Sequence, residues 1–210
     1  TWDALSEECE LIVMFGGMPL KNSKVSAGGV GKHVTKEGIK RCYDNGIEFI
    51  NISPLIDDAP AFLNAEQIPI RPNTDTALML GLAHTLHEEG LSDKKFLETY
   101  TEGFEKFLPY LLGTNDGIVK NANWAAKICN ISASKIIELA RKISSKRTMI
   151  SVSWSLTRQD HGEQPFWAAI AVASMLGQIG LPGGGFGFGY SAVNHIGGQF
   201  TIPPAVPFPP

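Results

Sequence analysis

The run "ELIVMF" (Glu10–Phe15), closed at once by Gly16 and Gly17, decides the fold class. A short, almost wholly apolar run between turn signals has the length of a buried strand and is too short for a helix. Working outward, "KHVTKEGIKRCYDNG" has weak helical character and stops at Asn45-Gly46, a usual helix-ending pair. "IEFINIS" (Ile47–Ser53) is a second strand. Strand, loop, helix, strand reads as a βαβ unit, so the sheet is expected to be parallel with a right-handed crossover.

The rest of the chain extends that pattern. "QIPIRP" is a short third strand, and "NTDTALMLGLAHTLHEEG" is a predicted helix with Asn73 as cap, Asp75 in the first turn and Gly90 just past its end. Helical character returns over residues 93–112, broken near Gly103, and again over 122–128. In "SASKIIELARKI", Ser132 is the expected cap, and Ile136, Ile137, Leu139, Ala140 and Ile143 form the inward face. "TMISVSWS" (Thr148–Ser155) is a late strand, and Gln164–Leu176 is a nearly continuous apolar helix. The expected class is α/β, a parallel Rossmann-like sheet with flanking helices and ligand sites at the strands' C-terminal ends.

Composition narrows the function. The 210 residues are 43% hydrophobic and 19% charged, with net charge −3. That is ordinary globular composition, without the basic excess that nucleic-acid binding needs. The longest apolar stretch, Phe166–Leu176, has the length of a buried helix rather than a membrane span. Cys9, Cys42 and Cys129 are far apart and odd in number, which argues against a disulfide framework or a zinc site. Neither end carries a targeting segment or a closing element, so the chain reads as an internal piece of something longer. Residues 1–200 are expected to form one region, with 201–210, "TIPPAVPFPP", a proline-rich connection.

Three loops follow strand ends: "FGGMPLKN", "SPLIDD" and "SWSLTRQDHGEQ". Such loops hold phosphates well, because free N–H groups and helix dipoles favour anions. One of them alone is an ordinary chain turn; three together point to a large phosphate-containing ligand. Two familiar phosphate motifs fail. "SAGGVGKH" has Gly31-Lys32, but Ser26 replaces the first glycine of a P-loop and His33 replaces its Ser/Thr. "GFGYSA" (Gly187–Ala192) fits GxGxxA formally, but no apolar strand precedes it. His84 and His87 share a helix with Glu88 and read as a solvated helix end rather than a metal site. Ser155, Asp160 and His161 lack the nucleophile elbow of a hydrolase. Trp154, Arg158, His161 and Gln164 together offer an aromatic face, a fixed cation and hydrogen-bonding groups, which suit a planar heterocycle with a pyrophosphate as well as they suit a structural Trp beside a surface Arg. "GQIGLPGGGFGFGY" (Gly177–Tyr190) carries Leu181, Phe186, Phe188 and Tyr190 among its glycines, so it reads as a packed or ligand-facing loop rather than a linker.

The segments "FGGMPLKNSKVSAGGVGKH", "NISPLIDDAP", "IPIRPNTDTALMLGLAHTL", "ISVSWSLTRQDHGEQPFWAAIA" and "GQIGLPGGGFGFGY" occur in an order that resembles the molybdopterin oxidoreductases of the dimethyl sulfoxide reductase family. The likeness is nearest to the biotin sulfoxide and trimethylamine N-oxide reductases and runs over essentially the whole chain. It implies a bis(molybdopterin guanine dinucleotide) molybdenum cofactor and oxygen-atom transfer from an S-oxide or N-oxide substrate, with an electron-donor protein or reductant as partner. Carried onto this chain, Gly16, Gly17, Pro19, Asn22, Ser53, Pro54, Arg71, Asn73 and Asp75 would hold one guanosine arm. Trp154, Arg158, His161 and Gln164 would lie against the other pterin and its phosphates, with the glycine run, Gly184 included, passing close by. The resemblance places the serine that ligates molybdenum in this branch outside these residues, so this piece is expected to bind cofactor without being competent alone.

Three positions depart from the pattern. Ser53 stands where many relatives have Asp, Gln67 where Trp is expected, and Ile56 where a basic residue is expected. Two rival readings are weaker. A nicotinamide-dependent Rossmann dehydrogenase needs GxGxxG in the first loop and an acid ending the second strand, but "GGMPLKN" and Ser53 stand there. A non-catalytic α/β interaction module would have eroded polar loops, whereas Arg71, Asp75, Arg158 and Gln164 are present.

Overall fold

A computed structural model of the chain describes residues 2–24 and 33–190. Leu11–Phe15 (β1), Glu48–Ile52 (β2), Glu66–Ile68 (β3), Thr148–Val152 (β4) and Gly185–Phe188 (β5) form one sheet in the order β3-β2-β1-β4-β5. Every pair in it is parallel. β1 is central: Leu11 is level with Glu48 on one side and with Thr148 on the other. The chain lays down β1, β2 and β3 outward in one direction, then returns to place β4 on the opposite flank of β1. That reversal creates a switch point between β1 and β4, where open α/β sheets bind ligands.

Both faces of the sheet are covered, which is why "LIVMF" is apolar throughout rather than alternating. Leu11, Val13 and Phe15 join one core with Ile50, Ile52, Ile150 and Val152. Ile12 and Met14 join a second core on the other face with Ile39, Cys42 and Phe49. The second face is covered by α1 (Trp2–Glu8) and α2 (Thr35–Asp44). The first carries α3 (Asp75–Glu88), α4 (Lys94–Tyr100), α5 (Phe104–Leu111), α6 (Ala122–Cys129), α7 (Ala133–Ser144) and α8 (Gln164–Met175). α3 touches α6, α7 and α8 at once, so it is buried nearly all round and shows no polar stripe.

Most expected elements are present, including the break before α5 at Gly103 (φ 90°). Ser132 caps α7, its hydroxyl accepting from the Lys135 N–H at 3.2 Å. Ile137, expected on the inward face, is only partly buried there.

Three differences have physical causes. The third strand ends at Ile68, because Pro69 has no N–H to continue a ladder. Asn73 is not the cap of α3: it sits one residue further out with φ 63°, and Thr74 holds the cap position, its hydroxyl donating to the Arg71 carbonyl. The late strand stops at Val152, because the Ser153 hydroxyl captures the Ser155 N–H and starts a 3-10 turn over Trp154–Thr157. β5 and α1 are additional elements; β5 forms inside the glycine run that reads as a loop in the sequence. The P-loop comparison at "SAGGVGKH", the end of "GFGYSA" and the connection 201–210 lie outside the described residues. No helix among the described residues is long and apolar enough to cross a membrane.

Candidate functional site

The parallel ladder runs one residue beyond the strands. Gly16 N–H donates to the Ile52 carbonyl (2.9 Å), Ser153 N–H to Phe15 (2.9 Å) and Gly189 N–H to Val152 (3.0 Å). The loops after β1, β4 and β5 therefore leave the sheet together. Between them a cleft of about 330 Å³ opens, lined by Gly17, Asn22, Ser153, Trp154, Arg158 and Gly189 among others. It lies at the switch point between β1 and β4. A larger groove of about 1030 Å³ runs between α4, α5 and α8, but its lining is mainly apolar and none of it comes from the loops after the strands. The smaller cleft is the better site, because converging polar groups and position at the strand ends count for more than volume.

Gly16 and Gly17 fix the first loop between its two neighbours. Both have φ near +77° (78° and 76°), a conformation that side chains disfavour. A Cβ on Gly16 would lie 2.4 Å from Leu156 Cδ1, and one on Gly17 would lie 2.5 Å from both Cβ and carbonyl O of Asp58. The loop thus rests on the β4 loop through Gly16 and on the β2 loop through Gly17. Pro19 is buried, and its carbonyl accepts from Asn22 N–H at 3.2 Å, turning the exposed Asn22 side chain toward the cleft lining.

The second loop is tied down by side chains. Buried Ser53 donates through Oγ to Asp58 Oδ2 at 2.6 Å and accepts from Leu55 N–H at 3.2 Å, leaving Pro54 exposed. Gln67, which stands where Trp was expected, accepts from Asn51 Nδ2 at 2.6 Å and donates to the Ser53 carbonyl at 2.6 Å. This substitution therefore braces the end of β2 against β3. Ile56, at the other departure, is exposed.

After β3, Arg71 and Asn73 are exposed, and Arg71 N–H donates to the Cys129 carbonyl at 3.0 Å. Asp75 opens α3 and is only 7% exposed. Burial pushes its carboxyl up to about 6, partly offset by its own backbone N–H. No side chain among the described residues hydrogen-bonds it.

After β4, Trp154 is 43% exposed and stacks on Phe188 at 5.5 Å and 29°. Phe166 meets the same Phe188 edge-on at 5.2 Å. Arg158 is exposed at the cleft wall. His161 is exposed with φ 54°, its ring 3.8 Å from both Asp160 and Glu163, and Gln164 donates to Glu163. Neither His161 nor Gln164 lines the cleft, so of that set the structure brings Trp154 and Arg158 to it.

The glycine run divides between two ends of the sheet. Gly189 (φ 69°) lies where a Cβ would be 2.8 Å from Trp154 Nε1, so its lack of a side chain admits the indole. Gly184 is at the opposite end, where a Cβ would meet Arg147 Cδ and Gln178 Oε1 at 2.9 Å. It packs protein against protein away from the cleft, contrary to the expectation that the run as a whole faces a ligand.

Sequence reasoning missed Asp58, Ser153 and Gly189, and weighed Ser155 only as a hydrolase nucleophile. The hydroxyls of Ser153 and Ser155 lie 2.8 Å apart, and Ser153 is visible in the sequence only as part of "SWSLTRQDHGEQ". Burial lowers the pKa of His84, and no group of three or more His, Cys, Asp or Glu is placed to hold a metal among the described residues. The three cysteines are free and buried, with Cys9 and Cys42 pushed up to about 11 by burial, so their thiolates are scarce at neutral pH.

Several known proteins are similar to this chain in sequence or fold. The biotin sulfoxide reductase of Cereibacter sphaeroides is 46% identical over 202 residues, covering 96% of this chain and 27% of that protein. The dimethyl sulfoxide/trimethylamine N-oxide reductase of Rhodobacter capsulatus is 44% identical, with 90% and 23% covered. The trimethylamine-N-oxide reductase of Haemophilus influenzae is 45% identical, with 98% and 26% covered. The chain thus spans about a quarter of the length of these relatives. Acetylene hydratase from Pelobacter acetylenicus shares the fold, with TM-score 0.63 at 20% identity over 82% of this chain and 22% of that one. A family model described as molybdopterin oxidoreductase matches residues 4–201, nearly the whole chain, and to that family the chain belongs.

Proposed function

We propose that this chain is the cofactor-binding region of a molybdenum-dependent reductase of S-oxides or N-oxides, and that it holds a bis(molybdopterin guanine dinucleotide). The observation that carries the reading is the cleft at the β1/β4 switch point, where Gly17 and Asn22 face Trp154 and Arg158. The residues present fit such a group. Gly16, Gly17 and Gly189 let the loops around the cleft close on Leu156, Asp58 and Trp154 without a Cβ in the way, which sets the shape of the cleft. Arg158 offers paired donors to a phosphate or pterin acceptor, and Trp154 offers an aromatic face. Asp75 is a buried carboxylate with no side-chain hydrogen bond among the described residues, which suits the N–H donors of a guanine.

When bound, the cofactor supplies two-electron oxygen-atom transfer, with an electron-donor protein or reductant restoring it. This chain's own residues bind and orient. Arg158 neutralises phosphate charge, Trp154 fixes a ring plane, and Asp75 selects a base by its donors. Gln67 and Asn51 hold the Ser53 turn in place at the end of β2.

Elemental and nucleotide analysis of the purified whole protein tests the proposal. Molybdenum should be present, with two guanine nucleotides released per metal on acid hydrolysis. Bound nicotinamide with no molybdenum would refute it.

A further inference from the structure

In dinucleotide-binding sheets an acid at the end of β2 accepts hydrogen bonds from the ribose, because a vicinal diol offers two O–H donors to two carboxylate oxygens. Here β2 runs out at Ile52 and is followed by Ser53, which carries no charge. The structure supplies a carboxylate at that place by another route. Ser53 Oγ accepts from the Leu55 N–H, so its own hydrogen is committed to Asp58 Oδ2, 2.6 Å away. Asp58 is pinned from the other side too: its carbonyl accepts from Met18 N–H at 2.7 Å, and Gly17 lacks the Cβ that would displace it.

Asp58 thus sits at the junction of the β1 and β2 loops, against Gly17, which lines the cleft. Among the described residues its Oδ1 takes no hydrogen bond, and no Lys or Arg pairs with it. Asp57, its neighbour, is exposed and makes none of these contacts.

We propose that Asp58, delivered by Ser53, is the acid that accepts the ribose hydroxyls of a guanine nucleotide at this end of the sheet. The inference rests on the cofactor reading above and adds a residue and a specificity to it. A fixed negative charge there favours a free diol and repels a 2′-phosphate.

The test is titration calorimetry on the whole translated protein, made in cells unable to synthesise the cofactor. GDP and 2′,3′-dideoxy-GDP are the two ligands. Wild type should bind GDP the more tightly. Asp58→Asn should weaken GDP at one site per chain by about tenfold to a hundredfold, the range for a hydrogen bond to a charged group, and leave the dideoxy nucleotide unchanged. Asp57→Asn, the same change in net charge, should keep the wild-type preference. Ser53→Ala, which frees Asp58 without removing its charge, should lower the preference by a smaller factor and stands in if Asp58→Asn does not fold. A preference unchanged in Asp58→Asn, or in Ser53→Ala as its stand-in, overturns the inference while GDP binding itself upholds the cofactor reading. Absence of GDP binding by wild type overturns both.

Discussion

Asp75→Asn separates a binding carboxylate from a structural one, because the two roles predict opposite signs. The carboxyl of Asp75 rises from its ordinary 3.8 to about 6 because burial penalises the charged form. A folded value above the unfolded one means that stability is fully present below about pH 4 and is lost as pH rises through about 6. Each tenfold change in the acidity constant is worth about 1.4 kcal/mol, so the charged form costs the cofactor-free protein about 3 kcal/mol at neutral pH. Asparagine removes that cost, but it also forfeits about 0.3–1 kcal/mol of attraction between a carboxylate and the N-terminus of α3. The expected net effect at pH 8 is a gain of about 2 kcal/mol, or a rise in Tm of about 4–8 °C for a chain of this size. Urea unfolding of the cofactor-free chain at pH 4, 6 and 8 reads it directly. The gain should be absent at pH 4 and grow to a plateau above pH 6. The same substitution in the whole protein should lower retained molybdenum and guanine. A loss of stability that does not vary with pH would make Asp75 a satisfied capping residue, and the case for it as an unpaired acceptor would fall.

Two further substitutions probe the loops after β4 and β5, which line the cleft. Arg158→Lys keeps the charge but loses the two-donor fork, so cofactor retention or turnover should fall at least tenfold, corresponding to about 1.5–3 kcal/mol; full molybdenum content and full rate would make Arg158 a surface residue. Gly189→Ala puts a Cβ 2.8 Å from Trp154 Nε1 on a backbone with φ 69°, and should cost about 1–2 kcal/mol of stability while shifting Trp154 fluorescence. An unchanged spectrum and unchanged unfolding curve would show that the indole is not held there.

The parts of the fold that were legible in the sequence are those where burial and punctuation agree. "ELIVMF" is apolar at every position because β1 is flanked by two strands and covered on both faces, and two glycines close it. The long helix from Asp75 was equally plain, since a helix surrounded by α6, α7, α8 and the sheet must be apolar nearly all round. What failed was local side-chain chemistry competing with the backbone. Asn73 and Thr74 are both good caps by type; the choice fell to Thr74 because Asn73 tolerates the left-handed turn that reverses the chain. β5 was hidden for the opposite reason. "GFGF" has little strand propensity, and it pairs because Phe186 packs on the core while Gly187 makes room for the Tyr190 ring.

The site was legible in its pieces and not in its assembly. Each loop after a strand could be picked out by its small and polar residues, yet nothing in the sequence places "FGGMP" beside "SWSLTR", which most of the chain separates. That neighbourhood follows from strand order: β4 returns to lie against β1, and Gly16 N–H, Ser153 N–H and Gly189 N–H then extend the ladder into a common rim. The consequence is a site with two unlike walls. On one side the loop after β1 brings Gly17 and Asn22 to the cleft, with the Ser53–Asp58 pair packed behind Gly17. On the other the loop after β4 carries Trp154 and Arg158, groups that meet a ring face and an anion. The proposed cofactor, with both phosphate and a planar ring system, would meet both walls at once. A ligand that is only an anion, or only a hydrocarbon, would leave one of them unpaired.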